Sequence, residues 1–302
     1  MKVLTEASGS LVSASIIKTL KNIGIDVVAS DITEFNAGAK LADDYIILPR
    51  VSDELMWEKI IKILINENIK WIIPSLDEML LGWSERAEDL RLQGFDIIIS
   101  PHETIQLFTD KWFTYNAFLD ADLPTPKTSL EKKYSMVKPR SGRGSKGIEV
   151  TDKKVSMKGK ISQEIVNGTE VTVDCLFDKN GLPIYIIPRI RLKVIDGKSV
   201  SAVTIRNKKI DSNIKKLSSK FHFIGPVNIQ CFMDDGKLYF IEVNPRVGGG
   251  MVLGWEASEN WFDLWFNKII HGKSIQPKPV KYGLRMDRYY SEIFSEVQNS
   301  II

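Results

Sequence analysis

The sequence predicts an α/β domain with a parallel, doubly wound sheet, followed by an α+β region. Over roughly the first hundred residues, short apolar runs alternate with helical patterns, which is typical of parallel sheets. In the second half of the chain, short strand-like runs follow one another with few helices between them, which is typical of α+β folds. The length of 302 residues is enough for two domains, or for one domain with a large appendage.

Composition and charge exclude several classes of protein. The chain has 41 basic and 38 acidic residues, a formal net charge of +3, and 43% apolar residues. These values differ from those of disordered chains and do not indicate strong non-specific binding of nucleic acid. No apolar run approaches the roughly 18 residues of a membrane helix, and the start MKVLTEASGS lacks the apolar region of a signal peptide. We therefore expect a soluble, cytoplasmic protein without a nucleic-acid or membrane partner.

The cysteines and histidines predict neither a zinc site nor a histidine-based triad. Cys175 and Cys231 each lie in an alternating apolar run, so we expect both in the core. His102, His222 and His271 lie far apart and lack metal-ligand spacing. Any chemistry is therefore expected to use carboxylates, lysines, arginines and backbone amides.

The front domain is predicted to contain five strands separated by helices. The strands are Lys2–Leu4, Val27–Ser30, Tyr45–Leu48, Trp71–Pro74 and Ile97–Ile99. The helical patterns are a face with Val12, Ile16, Leu20 and Ile23, and the stretches Leu55–Asn66 and Met79–Leu92. The loop after the first strand holds only Gly9 where a dinucleotide-binding motif needs three glycines, so NAD binding is not predicted.

A helix at Ile105–Leu119 that carries Lys111 is predicted to open the second part of the chain. Two prolines exclude Leu123–Thr128 from a helix interior. The strand-like runs that follow are Met136–Lys138, Ile148–Val150, Ile161–Ile165, Val171–Phe177, Ile184–Ile190, Val200–Ile205, Val227–Met233 and Lys237–Val243. Further helices are predicted at Ile214–Phe223 and Trp261–Ile270.

The segment Val137–Gly147, with the sequence VKPRSGRGSKG, has the composition of a phosphate-binding loop. Its glycines allow backbone N–H groups to turn inward around phosphate oxygens, and Lys138 can reach the same oxygens. The order of residues is not that of a Walker A loop. Taken alone, phosphate binding is only slightly favoured over a basic turn on the surface.

A candidate magnesium site lies in Val227–Arg246, with the sequence VNIQCFMDDGKLYFIEVNPR. Glu242 and Asn244 are two residues apart on a strand, so they share one face, and Gln230 lies on the preceding strand. Carboxylate and amide oxygens suit Mg²⁺ that is also held by nucleotide phosphates. The alternative is the solvated face of a hairpin. We favour the metal site, because a charge among such apolar neighbours is costly unless it is paired or metal-bound.

The segment Gln163–Asp174 is predicted to place two strand-like pieces around a turn at Asn167-Gly168. Backbone groups of Glu164–Val166 could bind a planar base, and Glu170 could accept hydrogen bonds from ribose hydroxyls. On its own, the segment is better explained as an ordinary hairpin.

Taken together in their order along the chain, these elements resemble the ATP-grasp superfamily. The order is a helix lysine, a strand lysine before a Gly-rich loop, a segment with a glutamate, and the ending N-x-Q…E-x-N-P-R. The stretch GPVNIQ…FIEVNPR is most similar to the carbamoyl-phosphate synthase large-subunit-like branch. The resemblance covers nearly the whole chain and implies a pre-ATP-grasp α/β domain at 1–104, a small ATP-grasp lobe with a Gly-rich lid at 105–166, and a C-terminal lobe with the metal site at 167–302.

The resemblance also implies a role for each matching residue. The implied ATP contacts are Lys111, Lys138, Ser141, Gly142, Gly144, Ser145, Gly147, Glu164, Ile165, Val166 and Glu170. The implied ligands of Mg²⁺ or Mn²⁺ are Gln230, Glu242 and Asn244. The implied catalytic residues are Arg246, Arg191 and Lys138. Arg189 and Arg191 share one face of their strand. Which of the two contacts substrate is left open, and an exposed pair that forms salt bridges instead is an equal alternative.

The resemblance implies an ATP-dependent ligase that joins a small-molecule carboxylate to an amine, or to a thiol, through an acyl phosphate. The alternatives are an ATP-grasp kinase or carboxyphosphate-forming enzyme, and a catalytically silent nucleotide-binding module. The substrates and the oligomeric state, a homodimer among the options, are not legible from the sequence. The glycine run Gly248–Gly250 indicates either close approach of a substrate or a flexible turn. The tryptophans Trp255, Trp261 and Trp265 are better explained as core residues than as a substrate site.

Overall fold

The front of the chain forms a five-stranded parallel sheet, as predicted. In the computed structural model, residues 1–142, 144, 146–195 and 197–296 are described. The strands are β1 Lys2–Thr5, β2 Asp26–Asp31, β3 Asp44–Ile47, β4 Trp71–Ile73 and β5 Asp96–Ile97, in the order β3-β2-β1-β4-β5. The helices around this sheet are α1 Ser13–Lys21, α2 Gly38–Leu41, α3 Met56–Asn66 and α4 Asp77–Leu92. The order reverses at β1 and β4, and Asp77, at the start of the helix that follows β4, bonds to Arg246 in the second part of the chain.

The single helix predicted at Ile105–Leu119 is two helices, α5 His102–Thr109 and α6 Lys111–Asp120. The break falls at Asp110, whose backbone is extended and whose carboxylate accepts hydrogen bonds from the N–H groups of Trp112 (2.8 Å) and Phe113 (3.3 Å). Asp110 is therefore the N-cap of α6. The prediction was wrong because the apolar periodicity continues across the cap, and the break makes Lys111 the first residue of a helix.

A small antiparallel sheet follows, with strands in the order β6-β9-β7-β8. Its strands are β6 Thr128–Ser129, β7 Met136–Pro139, β8 Glu149–Val150 and β9 Lys160–Gln163. The predicted strand Ile161–Ile165 ends at Gln163, so Glu164–Gly168 is a linker. This linker joins two different sheets rather than the two strands of one hairpin, which removes the ordinary hairpin as an explanation of the segment.

The third sheet is antiparallel, with the order β14-β13-β10-β11-β12-β15. Its strands are β10 Thr169–Phe177, β11 Pro183–Ile195, β12 Lys198–Thr204, β13 Gly225–Asp234, β14 Lys237–Asn244 and β15 Arg285–Asp287. Helix α7 Lys208–Lys220 begins six residues before the predicted start because Asn207 caps it. The short, largely exposed β15 was not predicted, since three residues carry no apolar alternation.

The two faces of this six-stranded sheet differ in polarity. On one face, Val173, Cys175 and Cys231 are fully buried in a core that includes Ile214 of α7 and Phe118 of α6. The other face carries polar side chains, because successive residues of a strand point to opposite sides. Both cysteines therefore lie in the core, as predicted.

A second core joins the front sheet to the six-stranded sheet. Trp71 of β4 packs edge-on against Trp265 and Phe266, with ring centroids 6.5 and 5.4 Å away. Trp255 and Trp261 belong to the same cluster and are 3% and 1% exposed, so the predicted core position of the tryptophans is confirmed. Helices α8 Val252–Glu256 and α9 Trp261–Leu264 supply these rings.

The helix predicted at Trp261–Ile270 is α-helical only as far as Leu264, and Trp265–Ile269 forms a π-helical turn. The π-helical turn was not predicted. Its wider geometry brings Trp265, Phe266 and Ile269 to the buried side together. Among the described residues, no helix has the combination of length and apolar character that a membrane crossing requires.

A buried carboxyl group links β1 to the loop that leads into α4. Glu6 is 2% exposed and accepts hydrogen bonds from Trp83 Nε1 (2.6 Å), Ser75 N (3.1 Å) and Leu76 N (3.4 Å). Burial raises the pKa of Glu6 to about 7, even though the three donors favour the charged form. The protonated form is therefore favoured in the folded state more than in the unfolded chain.

We expect the Glu6→Gln variant to lose a pH dependence of stability that the native protein shows. Because the folded-state pKa is raised from 4.5 to about 7, Glu6 contributes stability fully below pH 4.5, and this contribution disappears as the pH rises through 7. The expected loss is on the order of 3 kcal/mol of unfolding free energy. Urea unfolding from pH 5 to 8 measures it. Glu131→Gln, at a side chain that is 79% exposed, should follow the native protein, and an unchanged slope in Glu6→Gln would contradict the prediction.

Candidate active site

A cleft lies between the four-stranded and the six-stranded sheets, under the Gly-rich loop. The structure brings most of the predicted site residues to this cleft. They are Lys111, Lys138, Ser141, Gly142, Gly144, Glu164, Val166, Glu170, Arg191, Gln230 and Glu242. These residues come from α6, from strands of the large sheet, from β7 and its following loop, and from the linker between the sheets.

A β-bulge on β14 shapes the floor of the cleft. Gln230 of β13 lies opposite Glu242, but the next pair is Cys231 with Phe240, so Ile241 is an extra residue. Ile241 and Glu242 consequently both face the cleft, while Phe240 and Val243 remain in the core on the other side. The apolar run around Glu242 is thus explained without burying the carboxylate, whose side chain is 25% exposed.

Two lysines approach Glu242 from the opposite wall. Lys111 Nζ lies 3.6 Å from Glu242 Oε1 and donates a hydrogen bond to the Gly142 carbonyl at 2.8 Å. Lys138 is 7% exposed and donates to Gln163 Oε1 at 2.8 Å. Burial lowers the pKa of Lys138 to about 8, with Lys111 acting in the same direction and Glu242 in the opposite one.

The Gly-rich loop is tied to the start of α6 and reaches the large sheet. Arg140 pairs with Asp110 at 2.7 Å, and the carbonyl of Arg140 accepts from the Lys111 N–H at 2.8 Å. At the far end, Gly144 lies against Gly197 of the β11–β12 turn, where an added Cβ would be 3.3 Å from the Gly144 Cα. The described residues of the loop therefore line the cleft between the two sheets. Ser145, a predicted contact, lies outside the described residues.

The linker contributes Glu164 and Val166 to the lining of the cleft. The Glu164 N–H donates to the Lys127 carbonyl at 2.9 Å, whereas the Val166 N–H has no hydrogen-bond partner among the described residues. Ile165 does not line the cleft and is 41% exposed. Glu170, at the start of β10, accepts a hydrogen bond from Arg191 Nη1 across the sheet.

Four predicted residues lie away from the cleft lining: Gly147, Ile165, Asn244 and Arg246. Arg246 is held by Asp77 of α4 through two hydrogen bonds, Nε–Oδ1 at 2.7 Å and Nη2–Oδ2 at 2.6 Å. Asn244 lies opposite Asn228 in the strand register, further along the strand than Glu242. The part of the chain that the structure describes contains no group of three His, Cys, Asp or Glu side chains placed to hold a metal ion.

A second polar cluster lies further along the same face of the large sheet. Asp174 of β10 is fully buried and accepts from Arg189 Nε at 2.7 Å and from Asn228 Nδ2 at 2.7 Å. Gly248 and Gly250 pack directly onto Asn228 and Arg189, since an added Cβ would lie 2.9 and 2.7 Å from their side-chain atoms. At these two positions, the close approach of the protein's own side chains leaves room only for glycine.

Sequence reasoning missed three contributors to these sites. Gln163 holds Lys138, the bulged Ile241 lines the cleft, and Asp174 anchors the second cluster. Asp174 carried a usable signal, because it follows Thr172 by two residues on an otherwise apolar strand. Gln163 and Ile241 carried none, since their roles depend on strand pairing between distant segments.

We expect Gly250→Ala to destabilise the protein and Gly249→Ala to leave its stability unchanged. A Cβ added at position 250 would lie within 3 Å of the Arg189 guanidinium, which cannot withdraw without breaking its bonds to Asp174. A Cβ at position 249 would meet nothing within 4 Å. Overpacking of this kind costs about 1–3 kcal/mol. Chemical unfolding of both variants measures the difference, and equal stabilities would contradict the close packing of Gly250 on Arg189.

Comparison with known proteins identifies two domains along the chain. A family model described as an ATP-grasp domain matches residues 108–250, and a model of the PylC-like N-terminal domain matches residues 9–98. None of the curated proteins compared with the chain matches it. The ATP-grasp match spans the two antiparallel sheets except β15, and the PylC-like match spans most of the parallel sheet.

Solved structures share the fold at low sequence identity. The biotin carboxylase domain of 2-oxoglutarate carboxylase from Hydrogenobacter thermophilus, solved with MgADP, ADP and bicarbonate, has a TM-score of 0.73 at 17% identity and covers 94% of this chain and 73% of its own. The N5-carboxyaminoimidazole synthetase from Staphylococcus aureus, solved with ADP, has a TM-score of 0.70 at 16% identity, covering 91% and 78%. Biotin carboxylase from Campylobacter jejuni has a TM-score of 0.69 at 14% identity, covering 91% and 73%.

These matches confirm the ATP-grasp resemblance and the predicted fold class, while the carbamoyl-phosphate synthase-like branch stays a prediction. The likeness to the solved structures concerns the fold, because the sequence identities are low. Two family matches, one on each part of the chain, identify an ATP-grasp domain at residues 108–250 and a PylC-like N-terminal domain at residues 9–98.

Proposed function

We propose that the protein is an ATP-dependent carboxylate–amine ligase that acts through an acyl phosphate. The observation that carries this proposal is the cleft between two sheets that is lined by Lys111, Lys138, Gln230 and Glu242, in a chain whose residues 108–250 match the ATP-grasp model. Within it, we assign residues 1–104 to a pre-ATP-grasp domain, 105–166 to the lid-bearing lobe and 167–302 to the metal-bearing lobe. A thiol in place of the amine is a variant of the same chemistry.

ATP is proposed to lie along the cleft with its adenine at the linker. The unpartnered Val166 N–H is the donor for a ring nitrogen, and Glu170 at the start of β10 accepts from the ribose hydroxyls. The phosphates then lie beneath Ser141, Gly142 and Gly144, beside the two lysines. Gly147 has a positive φ of 74° and lies outside the cleft lining, so we assign it to shaping the loop rather than to direct contact.

The donors at the end of the cleft fit a magnesium ion that is shared with phosphate. Glu242 offers a carboxylate and Gln230 an amide oxygen, and the two lie opposite each other on paired strands. Two oxygen donors are too few for a site made by protein alone, whereas Mg²⁺ is normally held by one or two carboxylates together with substrate phosphates and water. When bound, Mg²⁺ would neutralise charge that develops on the transferred phosphoryl group. Asn244 is the proposed third ligand once the cleft is occupied.

The proposed reaction has two steps. A substrate carboxylate oxygen attacks the γ-phosphorus of ATP, ADP leaves, and an acyl phosphate forms. The amine nitrogen then attacks the acyl carbon and phosphate leaves. Lys138 and Arg191 stabilise charge on the phosphoryl oxygens, since phosphoryl transfer depends on positioning and charge neutralisation. Arg246, which Asp77 holds at the domain junction, is proposed to face the acyl phosphate.

The alternative is a carboxyphosphate-forming enzyme, and one observation favours it. The Hydrogenobacter domain that shares the fold was solved with bicarbonate as well as MgADP, and bicarbonate is the substrate of that chemistry. That domain was solved as a dimer, and a homodimer is accordingly proposed here. Cytoplasmic location also remains a proposal. A silent nucleotide-binding module is disfavoured by the presence of both Gln230 and Glu242.

The function is tested by ADP release from Mg-ATP against pairs of carboxylic acids and amines, with bicarbonate as one of the acids. We expect release with at least one pair and a decrease of about 100-fold or more in Glu242→Gln, because a metal ligand contributes several kcal/mol to phosphoryl transfer. Asp234→Asn, at an exposed site on the same hairpin, is the matched control. Full turnover in Glu242→Gln would contradict the metal assignment, and ATP binding without release for any pair would support the silent module.

Nucleotide affinity is expected to fall with rising pH because of Lys138. Its pKa of about 8 means that the ammonium is present at pH 7 and mostly lost at pH 9. Since phosphate binding favours the cation, the dissociation constant for Mg-ADP should rise by about tenfold between these pH values. Lys138→Arg retains its charge and should show a flat profile. Isothermal titration calorimetry measures both, and the same pH dependence in the two proteins would assign the titration to another group.

A further inference from the structure

One carboxylate joins the start of α6 to the start of the Gly-rich loop. Asp110 Oδ1 accepts hydrogen bonds from the N–H groups of Trp112 at 2.8 Å and Phe113 at 3.3 Å, which caps the helix. Asp110 Oδ2 accepts from Arg140 Nε at 2.8 Å and from Arg140 Nη2 at 2.7 Å. A weaker contact of 3.2 Å joins Arg140 Nε to Oδ1. One oxygen of Asp110 therefore serves mainly the helix, and the other serves the loop.

Arg140 is also fixed through its backbone. Its carbonyl accepts from the Lys111 N–H at 2.8 Å, and its N–H donates to the Gly159 carbonyl at 3.0 Å. Its guanidinium lies over the ring of Phe113, 5.3 Å from the centroid. The side chains of Arg140 and Asp110 are only 30% and 18% exposed. A charged pair with two parallel bonds and partial burial is held more firmly than a single contact on an open surface.

A second tie between the helix and the loop uses an ammonium group that the proposed phosphates also need. Lys111 Nζ donates to the Gly142 carbonyl at 2.8 Å and lies 3.6 Å from Glu242 Oε1. A phosphate oxygen is a stronger acceptor for an ammonium than a neutral carbonyl is. Nucleotide binding therefore competes with the bond to Gly142, and it weakens this tie in the state in which the loop has to stay over the phosphates.

The bond between Asp110 and Arg140 is free of this competition. Neither residue lines the cleft, so the pair stays formed when a nucleotide enters. Ser141 and Gly142, which do line the cleft, follow Arg140 directly. Because Arg140 is fixed, the first cleft-lining residues of the loop lose less freedom when the nucleotide binds, and a smaller ordering cost gives tighter binding.

We propose that Asp110 is a positioning residue for the nucleotide, which acts through Arg140 to keep Ser141 and Gly142 over the phosphates and so slows nucleotide release. This inference rests on the proposed function, because it takes the phosphates to lie beneath this loop. A pair with a purely structural role would contribute to the stability of the free protein and would leave the rate of nucleotide release unchanged.

The variant Asp110→Asn separates the two roles of the side chain. Asparagine caps helices as well as aspartate does, so Oδ1 can keep the N–H groups of Trp112 and Phe113. Its Nδ2 takes the place of Oδ2 and turns a donor toward the donors of Arg140. The helix cap is therefore retained, while the tie to the loop is lost.

The test is surface plasmon resonance of Mg-ADP over the immobilised full chain. In Asp110→Asn we expect Mg-ADP to dissociate about tenfold faster, the effect of losing a charge-assisted bond. The association rate constant should stay within about twofold of the native value, because the cleft itself is unchanged. Thermal unfolding of the free protein should give a Tm within about 3 °C of the native one, since the cap remains.

Two further variants assign the effect to the pair. Arg140→Gln removes the same bond from the loop side and should release Mg-ADP as fast as Asp110→Asn. The double variant should release it no faster than either single variant, because all three lack one and the same interaction. Asp122→Asn is the matched control. It removes a carboxylate that pairs with Lys216 just beyond the other end of α6, and it should keep the native rate.

A native dissociation rate in Asp110→Asn would overturn the inference, and a lowered Tm at that unchanged rate would identify a purely structural pair. Additive effects in the double variant, or equally fast release from Asp122→Asn, would overturn it as well. These outcomes leave the proposed function intact. A native protein that does not bind Mg-ADP would contradict the nucleotide cleft of the proposed function, and this inference would fail with it.

Discussion

The alternation of side chains across the six-stranded sheet governs how both polar sites are built. One face of β10, β13 and β14 is fully apolar and packs on α6 and α7. The opposite face is therefore free to carry charged and amide groups, such as Glu242 and Asp174, close to buried apolar residues of the same strands. A single bulge at Ile241 adjusts the alternation, so that the carboxylate of Glu242 reaches the cleft without exposing Phe240.

The polar face is divided into two regions of different character. At the cleft, Lys111 and Glu242 are partly exposed and lie 3.6 Å apart, an arrangement that a charged ligand can rearrange at low cost. Around Asp174, the charges are buried and tightly bonded, so removal of one partner would leave an uncompensated charge. The first region suits binding and release of a nucleotide, and the second suits a rigid anchor.

The front domain is coupled to this sheet by both apolar and polar contacts. The tryptophan cluster around Trp71 and Trp265 makes one continuous core across the junction. At its edge, Glu6 holds the loop before α4, and Asp77 at the start of α4 holds Arg246 beyond the strand that carries Glu242. The position of Arg246 is thus set by the parallel sheet as much as by its own strand.

Local sequence patterns were sufficient to predict the five parallel strands, the two-sided hairpin that carries Gln230 and Glu242, and the glycine loop beside Lys138. These features follow from periodicity, turn chemistry and short motifs, which act between neighbours in the chain. Tertiary contacts were needed to show that Asp110 divides one helix into two, that Glu164–Gly168 joins two sheets, and that Arg189 is buried against Asp174 while Arg191 faces the cleft. They likewise placed Asn244 and Arg246 outside the cleft lining. The physical reason is that these outcomes depend on partners far apart in sequence, such as Asp77 and Arg246, whose pairing no local pattern encodes.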